Sequence, residues 1–410
     1  MNIFKKKILI INIILTFSLG NIMGQSVCDT LLFLNCDANY IITNNSEEFT
    51  QFVHKMGNLS KDSSAKINIL HIGDSHLQAG FLTESIKQGL FQYFISEDKI
   101  ISPGFIFPFT MAQTNNPFFY KVNYTGNWNW TKNVDIKKIS KLGLSGITAS
   151  TGDSSATFSI KMNNSKDHIQ KYLFNTIKIF HGSASTTILR ANNHQLSSEQ
   201  GISEITLDNL TDSVSFELTM KDSTSIFELY GIILENNSSP ISYHTVGVNG
   251  ATAQSYLRCE YFSPQLASVD PDLVIISLGT NEAYANHFSA LEHEYILKDL
   301  VLQIKDVVPN AAILLITPND HTKYSATNKA VAATRENMIK ICNQMKLGYW
   351  DYYAVMGGES SINEWYHKGL TGKDKLHFNR KGYEIQGELF TNALIDLIIK
   401  SKKTTNYNIE

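Results

Sequence analysis

Three short runs of almost unbroken apolar sequence recur along this chain: KINILHI at 66–72, LVIISL at 273–278 and AILLIT at 312–317. The first two stop at a glycine, Gly73 and Gly279. After the first come apolar residues at helical spacing, Phe81, Leu82, Ile86, Leu90 and Phe94, so the pattern predicts strand, sharp turn and a helix over 78–94. Further helices are expected around Tyr295 to Val308, Ala326 to Met345 and Gly382 to Lys400, with a short strand near Tyr349 to Tyr352. Strands that are apolar on both faces and alternate with helices make a parallel sheet covered on both sides, hence an α/β fold.

The stretch between these halves has a different period. Thr176 to Phe180, Thr187 to Ala191, Glu204 to Leu207, Val214 to Met220 and Ser225 to Leu234 read as short strands, and Val214, Phe216, Leu218 and Met220 alternate with polar neighbours. Such strands predict an antiparallel β-sandwich inserted into the α/β pattern. The expected divisions are a first α/β part at 45–104, the insert at 105–237 and a second α/β part at 238–402.

Lys5, Lys6 and Lys7 precede an apolar run from Ile8 to Leu19, with small residues at Gly20 and Gly24. That order predicts a secretory signal over 1–24, short for a bilayer span, with an N-terminal membrane anchor as the alternative, and an exported, periplasmic or extracellular mature chain without a stable membrane span. In an oxidising compartment Cys28 and Cys36 are close enough in sequence to pair, although spacing alone does not decide it. A net charge of −3 with no basic stretch beyond the leader argues against a nucleic-acid partner. The four cysteines form no CxxC or Cys/His cluster, so no metal site is expected.

Ser75, in Gly73-Asp74-Ser75, stands where the first strand turns into a helix, at the strand end where α/β sheets gather reactive groups. Asp374 and His377, three residues apart before the last helix, supply a base and a carboxylate that fixes its tautomer. Gly250 offers a backbone N–H and Asn281 a side-chain amide to an oxyanion.

Together these residues resemble the SGNH (GDSL-type) hydrolases. Gly73-Asp74-Ser75 matches the first block of that family, Gly250 the second, Asn281 the third, and Asp374 with His377 the fifth. The resemblance covers about 66–94 and 243–400 and implies a flavodoxin-like three-layer α/β domain. It further implies ester hydrolysis by Ser75, His377 and Asp374, an oxyanion hole of Ser75 N–H, Gly250 and Asn281, and no cofactor. His76 in place of the usual Leu, Glu282 in place of Asp, Trp365 and the HFNRKGY stretch from His377 to Tyr383 are similar to the branch containing bacterial peptidoglycan O-acetylesterases. In that branch a sandwich resembling a carbohydrate-binding module lies between the first two blocks. Asn379 stands where that branch often has Thr.

The expected partner is therefore an O-acetylated glycan, peptidoglycan first, with an O-acetyltransferase, a deacetylase of another glycan or an inactive carbohydrate-binding protein as alternatives. His76, Trp128 and Trp130 are candidate substrate-binding residues, the tryptophans as sugar platforms or as core. His71 is expected to be a satisfied core histidine, and Asn319-Asp320-His321, which follows another strand, either a loop without a role or part of the cleft lining.

Overall fold

The computed structural model describes residues 27–59, 65–95, 100–138, 140–164, 171–182, 187–196 and 201–407. The expected signal segment, 1–24, lies outside the described residues. A six-stranded sheet runs in the order Ile41–Ile42, Gly348–Trp350, Ala312–Ile316, Leu273–Ser277, Ile67–Gly73, Ile241–Gly247. All neighbours are parallel except the antiparallel edge strand Ile41–Ile42. Taken by chain position, the five parallel strands stand in the order 2-1-3-4-5, that of the flavodoxin-like doubly wound sheet. Ala312–Ile316 is buried throughout and Leu273–Ser277 nearly so, as double coverage requires.

The insert contributes two antiparallel sheets. One holds Tyr120–Thr125, Ser155–Met162, Thr187–Ala191, His194–Leu196 and Ser213–Met220. The other holds Asn129–Lys132, Ile147–Thr151, Phe174–His181, Ile202–Thr211 and Phe227–Glu235, with Gly104–Ile106 paired to the last. Val214, Phe216, Leu218 and Met220 alternate inward. The fold is thus a parallel α/β sheet carrying an inserted β-rich unit. The two meet closely at Gly104, where a Cβ would lie 2.5 Å from Tyr243 O.

Several expected elements shift. The helix expected over 78–94 is two helices, Ser75–Gln78 and Phe81–Phe94, because Gly80 adopts φ +81° between them. The last helix is longer than expected, Arg380–Tyr407. The helix expected from Ala326 starts at Ala330, and Ala326–Thr327 pairs instead with Thr322–Lys323. The helix Glu47–Asn58, capped by Ser46, had no counterpart in the sequence reading. Cys28 and Cys36 form a disulfide, while Cys259 and Cys342 are free and buried.

Candidate active site

The first and third parallel strands, Ile67–Gly73 and Leu273–Ser277, are adjacent, and the order of the sheet reverses between them. A crevice opens at such a switch point beyond the carboxyl ends of the strands. Gly73 is required there, since a Cβ would lie 2.6 Å from Leu77 Cδ1 and 3.0 Å from Ser277 O. Asp74 then caps the short helix Ser75–Gln78, its Oδ1 accepting from His76 N at 2.9 Å.

Ser75 Oγ lies 2.9 Å from His377 Nε2, and His377 Nδ1 lies 2.8 Å from Asp374 Oδ2. The carboxylate selects the Nδ1–H tautomer, so Nε2 faces the serine hydroxyl with its lone pair. Burial pushes the Asp374 carboxyl up, but hydrogen bonds from His377, Leu376 N and His377 N outweigh it and hold the group below its ordinary value. A serine, a histidine and a carboxylate in this line can take a proton from the hydroxyl during attack on an ester.

The loop carrying the pair is laced to its surroundings. Gly372 N donates to His377 O at 2.8 Å, and Asn319 Nδ2 to Leu376 O at 3.0 Å. Asn379 donates to Gly369 O and accepts from Gly382 N, which holds the entry to the last helix. Asn319-Asp320-His321, expected either as a loop without a role or as cleft lining, is buried and braces the Asp374–His377 segment, because Thr322 N also donates to Lys375 O. Burial pushes Asp320 up to about 6 and His321 down to about 4.

Gly250 sits at φ +82° in the turn after Ile241–Gly247, beside Val134 of the insert. Among the described residues neither Ser75 N nor Gly250 N has a hydrogen-bond acceptor. Asn281 lies on the helix Thr280–Tyr284, and its Nδ2 faces Asp74 Oδ2 at 3.0 Å and Ala251 O at 2.9 Å. Its amide is therefore engaged, and an oxyanion would have to displace one of these acceptors. Asp74 is fully enclosed, and burial, reinforced by the charge of Glu282, pushes its carboxyl up to about 7. Glu282 accepts from Gly279 N at 3.0 Å and Ala253 N at 2.9 Å, a bridge between two turns that the longer side chain spans.

His76 packs behind His377 at the strand ends. It is 6% exposed, its ring centroid is 5.1 Å from that of His377, and its Nδ1 meets Tyr383 OH at 3.0 Å. Burial, then the charge of His377, pushes it well below its ordinary value, so it backs His377 as a neutral ring. Trp128 is 8% exposed, stands edge-on to Phe158 and donates to Thr125 O, the surroundings of a core residue. Trp130 is half-buried, packed against the core, with Lys138 Nζ 5.5 Å from its ring centroid. His71 bonds Tyr243 OH and Ser277 Oγ at 2.8 and 2.6 Å, a satisfied core histidine.

Sequence reasoning gave no role to Gln78 or Thr114, and Tyr383 entered only as the end of the HFNRKGY stretch. Gln78 joins the second turn to the insert, accepting from Asn249 N and donating to Thr114 Oγ1. No single-sequence signal marks such contacts between distant segments. Among the described residues no cluster of three or more His, Cys, Asp or Glu is placed to hold a metal, and no helix is long and apolar enough to cross a membrane.

Residues 229–385 match the model of the GDSL-like Lipase/Acylhydrolase family. A solved structure of a peptidoglycan O-acetylesterase superposes with a TM-score of 0.74 at 23% identity, covering 88% of this chain and 99% of the other. An acetylxylan esterase from Geobacillus stearothermophilus (21% identity, TM-score 0.32) covers 38% of this chain and 72% of its own. A lipase/acylhydrolase from Enterococcus faecalis (18%, TM-score 0.30) covers 38% and 75%. A search of curated proteins found no match.

Proposed function

We propose that this chain, an esterase of the SGNH (GDSL-type) family, is exported and removes O-acetyl groups from a carbohydrate, most specifically the muramoyl C6 acetyl of peptidoglycan. The observation that carries the chemistry is the continuous Ser75, His377, Asp374 line at the switch point. Support for the substrate is the likeness in fold to a peptidoglycan O-acetylesterase over nearly all of both chains. We assign the hydrolase unit to 45–104 and 238–402 and the insert to 105–237.

Ser75 Oγ attacks the acetyl carbonyl as His377 Nε2 takes its proton, and Asp374 steadies the imidazolium. The oxyanion is met by Ser75 N–H, Gly250 N–H and the Asn281 amide, which exchanges Asp74 or Ala251 for the developing charge. His377 then protonates the departing sugar oxygen, leaving acetyl-Ser75. Water, deprotonated by His377, releases acetate and restores the serine. Acetate release from a panel of O-acetylated glycans tests the assignment: preference for peptidoglycan is expected, and turnover of xylan acetates in its place would overturn the substrate.

A further inference from the structure

The turn after Ile241–Gly247 carries more of the candidate site than Gly250 alone. Ala251 N donates to Val248 O at 2.9 Å, Gly250 stands at φ +82° and Asn249 keeps a negative φ, which makes Val248–Ala251 a type II turn. Types I and II differ by turning over the central peptide, here the one that bears the Gly250 N–H. The direction of that donor is set by whatever holds the turn.

Gln78 holds it from the side of the nucleophile. It ends the short helix Ser75–Gln78, is 4% exposed, and its Oε1 accepts from Asn249 N at 2.9 Å. Its Nε2 donates to Thr114 Oγ1 at 2.8 Å and to Asn115 O at 3.2 Å, both in the insert as assigned above. With one N–H to accept and two acceptors to meet, the amide has a single orientation that satisfies all three. Gly247, at the foot of the turn, approaches the same helix so closely that a Cβ would lie 2.9 Å from Asp74 O.

The insert also reaches the turn from a second direction. Arg258, which closes the helix Ala253–Leu257, donates to Asn133 O at 2.8 Å. Val134, the next residue, is what a Cβ on Gly250 would meet, at 3.9 Å. Ala251 O accepts from Asn281 Nδ2, so the helix of Ser75, the Gly250 N–H and the Asn281 amide are all tied to this one turn.

We propose that Gln78 is a positioning residue for the oxyanion hole: locked by Thr114 and Asn115 of the insert, it sets the Gly250 N–H against the Ser75 N–H. The insert thereby takes part in the chemical step, apart from any hold on a glycan. The proposal rests on the assignment of Gly250 as an oxyanion donor and is independent of which ester is the natural substrate.

Full-length protein, Gln78→Leu, Thr114→Val and Thr114→Ser are compared in steady-state hydrolysis of a small aryl acetate, which presents no glycan to the insert. Crystal structures of the unaltered protein and Gln78→Leu report the turn. Because a displacement of about 1 Å in such a site costs on the order of 10²-fold, Gln78→Leu should lose roughly 10–10²-fold in kcat. Its KM should stay within about twofold, since the donors act on the transition state. Thr114→Val, at a half-buried position, should lose kcat in the same manner, and Thr114→Ser, which keeps the hydroxyl, should recover it. The Asn249–Gly250 peptide should be displaced or turned over in Gln78→Leu.

Full kcat in Gln78→Leu and Thr114→Val with the turn unmoved would overturn the role of Gln78 and leave the assignment of Gly250 standing. Full kcat with the peptide displaced would overturn Gly250 as a donor, and the proposal with it. A loss confined to KM, or a loss in Thr114→Val that Thr114→Ser does not recover, would equally contradict the proposal. Should Gln78→Leu fail to fold, the two Thr114 variants decide it.

Discussion

Asn281 is the residue at which geometry constrains the chemistry most. Its amide nitrogen is shared between Asp74 and Ala251, so it enters catalysis only by exchanging one of them. An interaction made in the transition state and absent from the ground state raises kcat without tightening substrate binding. Asn281→Ala should therefore lower kcat by roughly 10²–10³-fold with KM little changed, as for loss of one oxyanion donor. Steady-state kinetics on a small acetyl ester decide it, and a loss confined to KM would place Asn281 in ground-state binding. The sequence pointed to Ser75, Asp374 and His377 because short motifs carry them. It could not point to Asp74 as the partner of Asn281 or to Tyr383 behind His76, since those contacts join residues 207 and 307 positions apart.

At the scale of elements, periodicity was a good guide wherever burial was one-sided or complete. The alternation from Val214 to Met220 and the apolar runs of the parallel strands both correspond to observed strands. It failed where a single backbone angle decides, as at Gly80, whose left-handed conformation splits a continuous helical pattern in two. The tryptophans of the insert show the same limit, because aromatic residues in alternating strands carry no mark of which face they take. Trp128→Ala should cost about 3–5 kcal/mol, the price of truncating a core aromatic. Trp130→Ala, at a half-buried ring, should change the denaturation midpoint less. Chemical denaturation of both variants checks the contrast, and equal losses would contradict the different burial of the two rings.

For the whole molecule, the alternation of strands and helices made the α/β class legible, and the antiparallel block revealed the insertion. The edge strand Ile41–Ile42 was not legible, since two residues paired at a sheet margin leave no periodic trace. Nor was the electrostatic character of the interior. Burial lowers His71 to about 3, and His293 and His321 to about 4, so each is neutral in the folded chain. Between pH 6.5 and those values the unfolded state binds more protons at these histidines, so their contribution lowers stability as the pH falls through that window. The raised carboxyls of Asp74 and Asp320 act in the opposite sense over the same window, so the histidine contribution is read by difference: relative to the unaltered protein, His71→Gln, which keeps polar atoms for Tyr243 and Ser277, should shift the change in melting temperature between pH 6.5 and pH 4 toward a smaller loss. An unchanged slope would contradict the assignment of the acid sensitivity to His71.

The central claim is that Ser75, set against His377, removes acetyl groups from a glycan. It is tested most directly by acetate released from O-acetylated peptidoglycan by the unaltered protein and by folded Ser75→Ala. The account predicts release by the first and nearly none by the second, because the members of such a triad act as a unit. Comparable release by the two would contradict it.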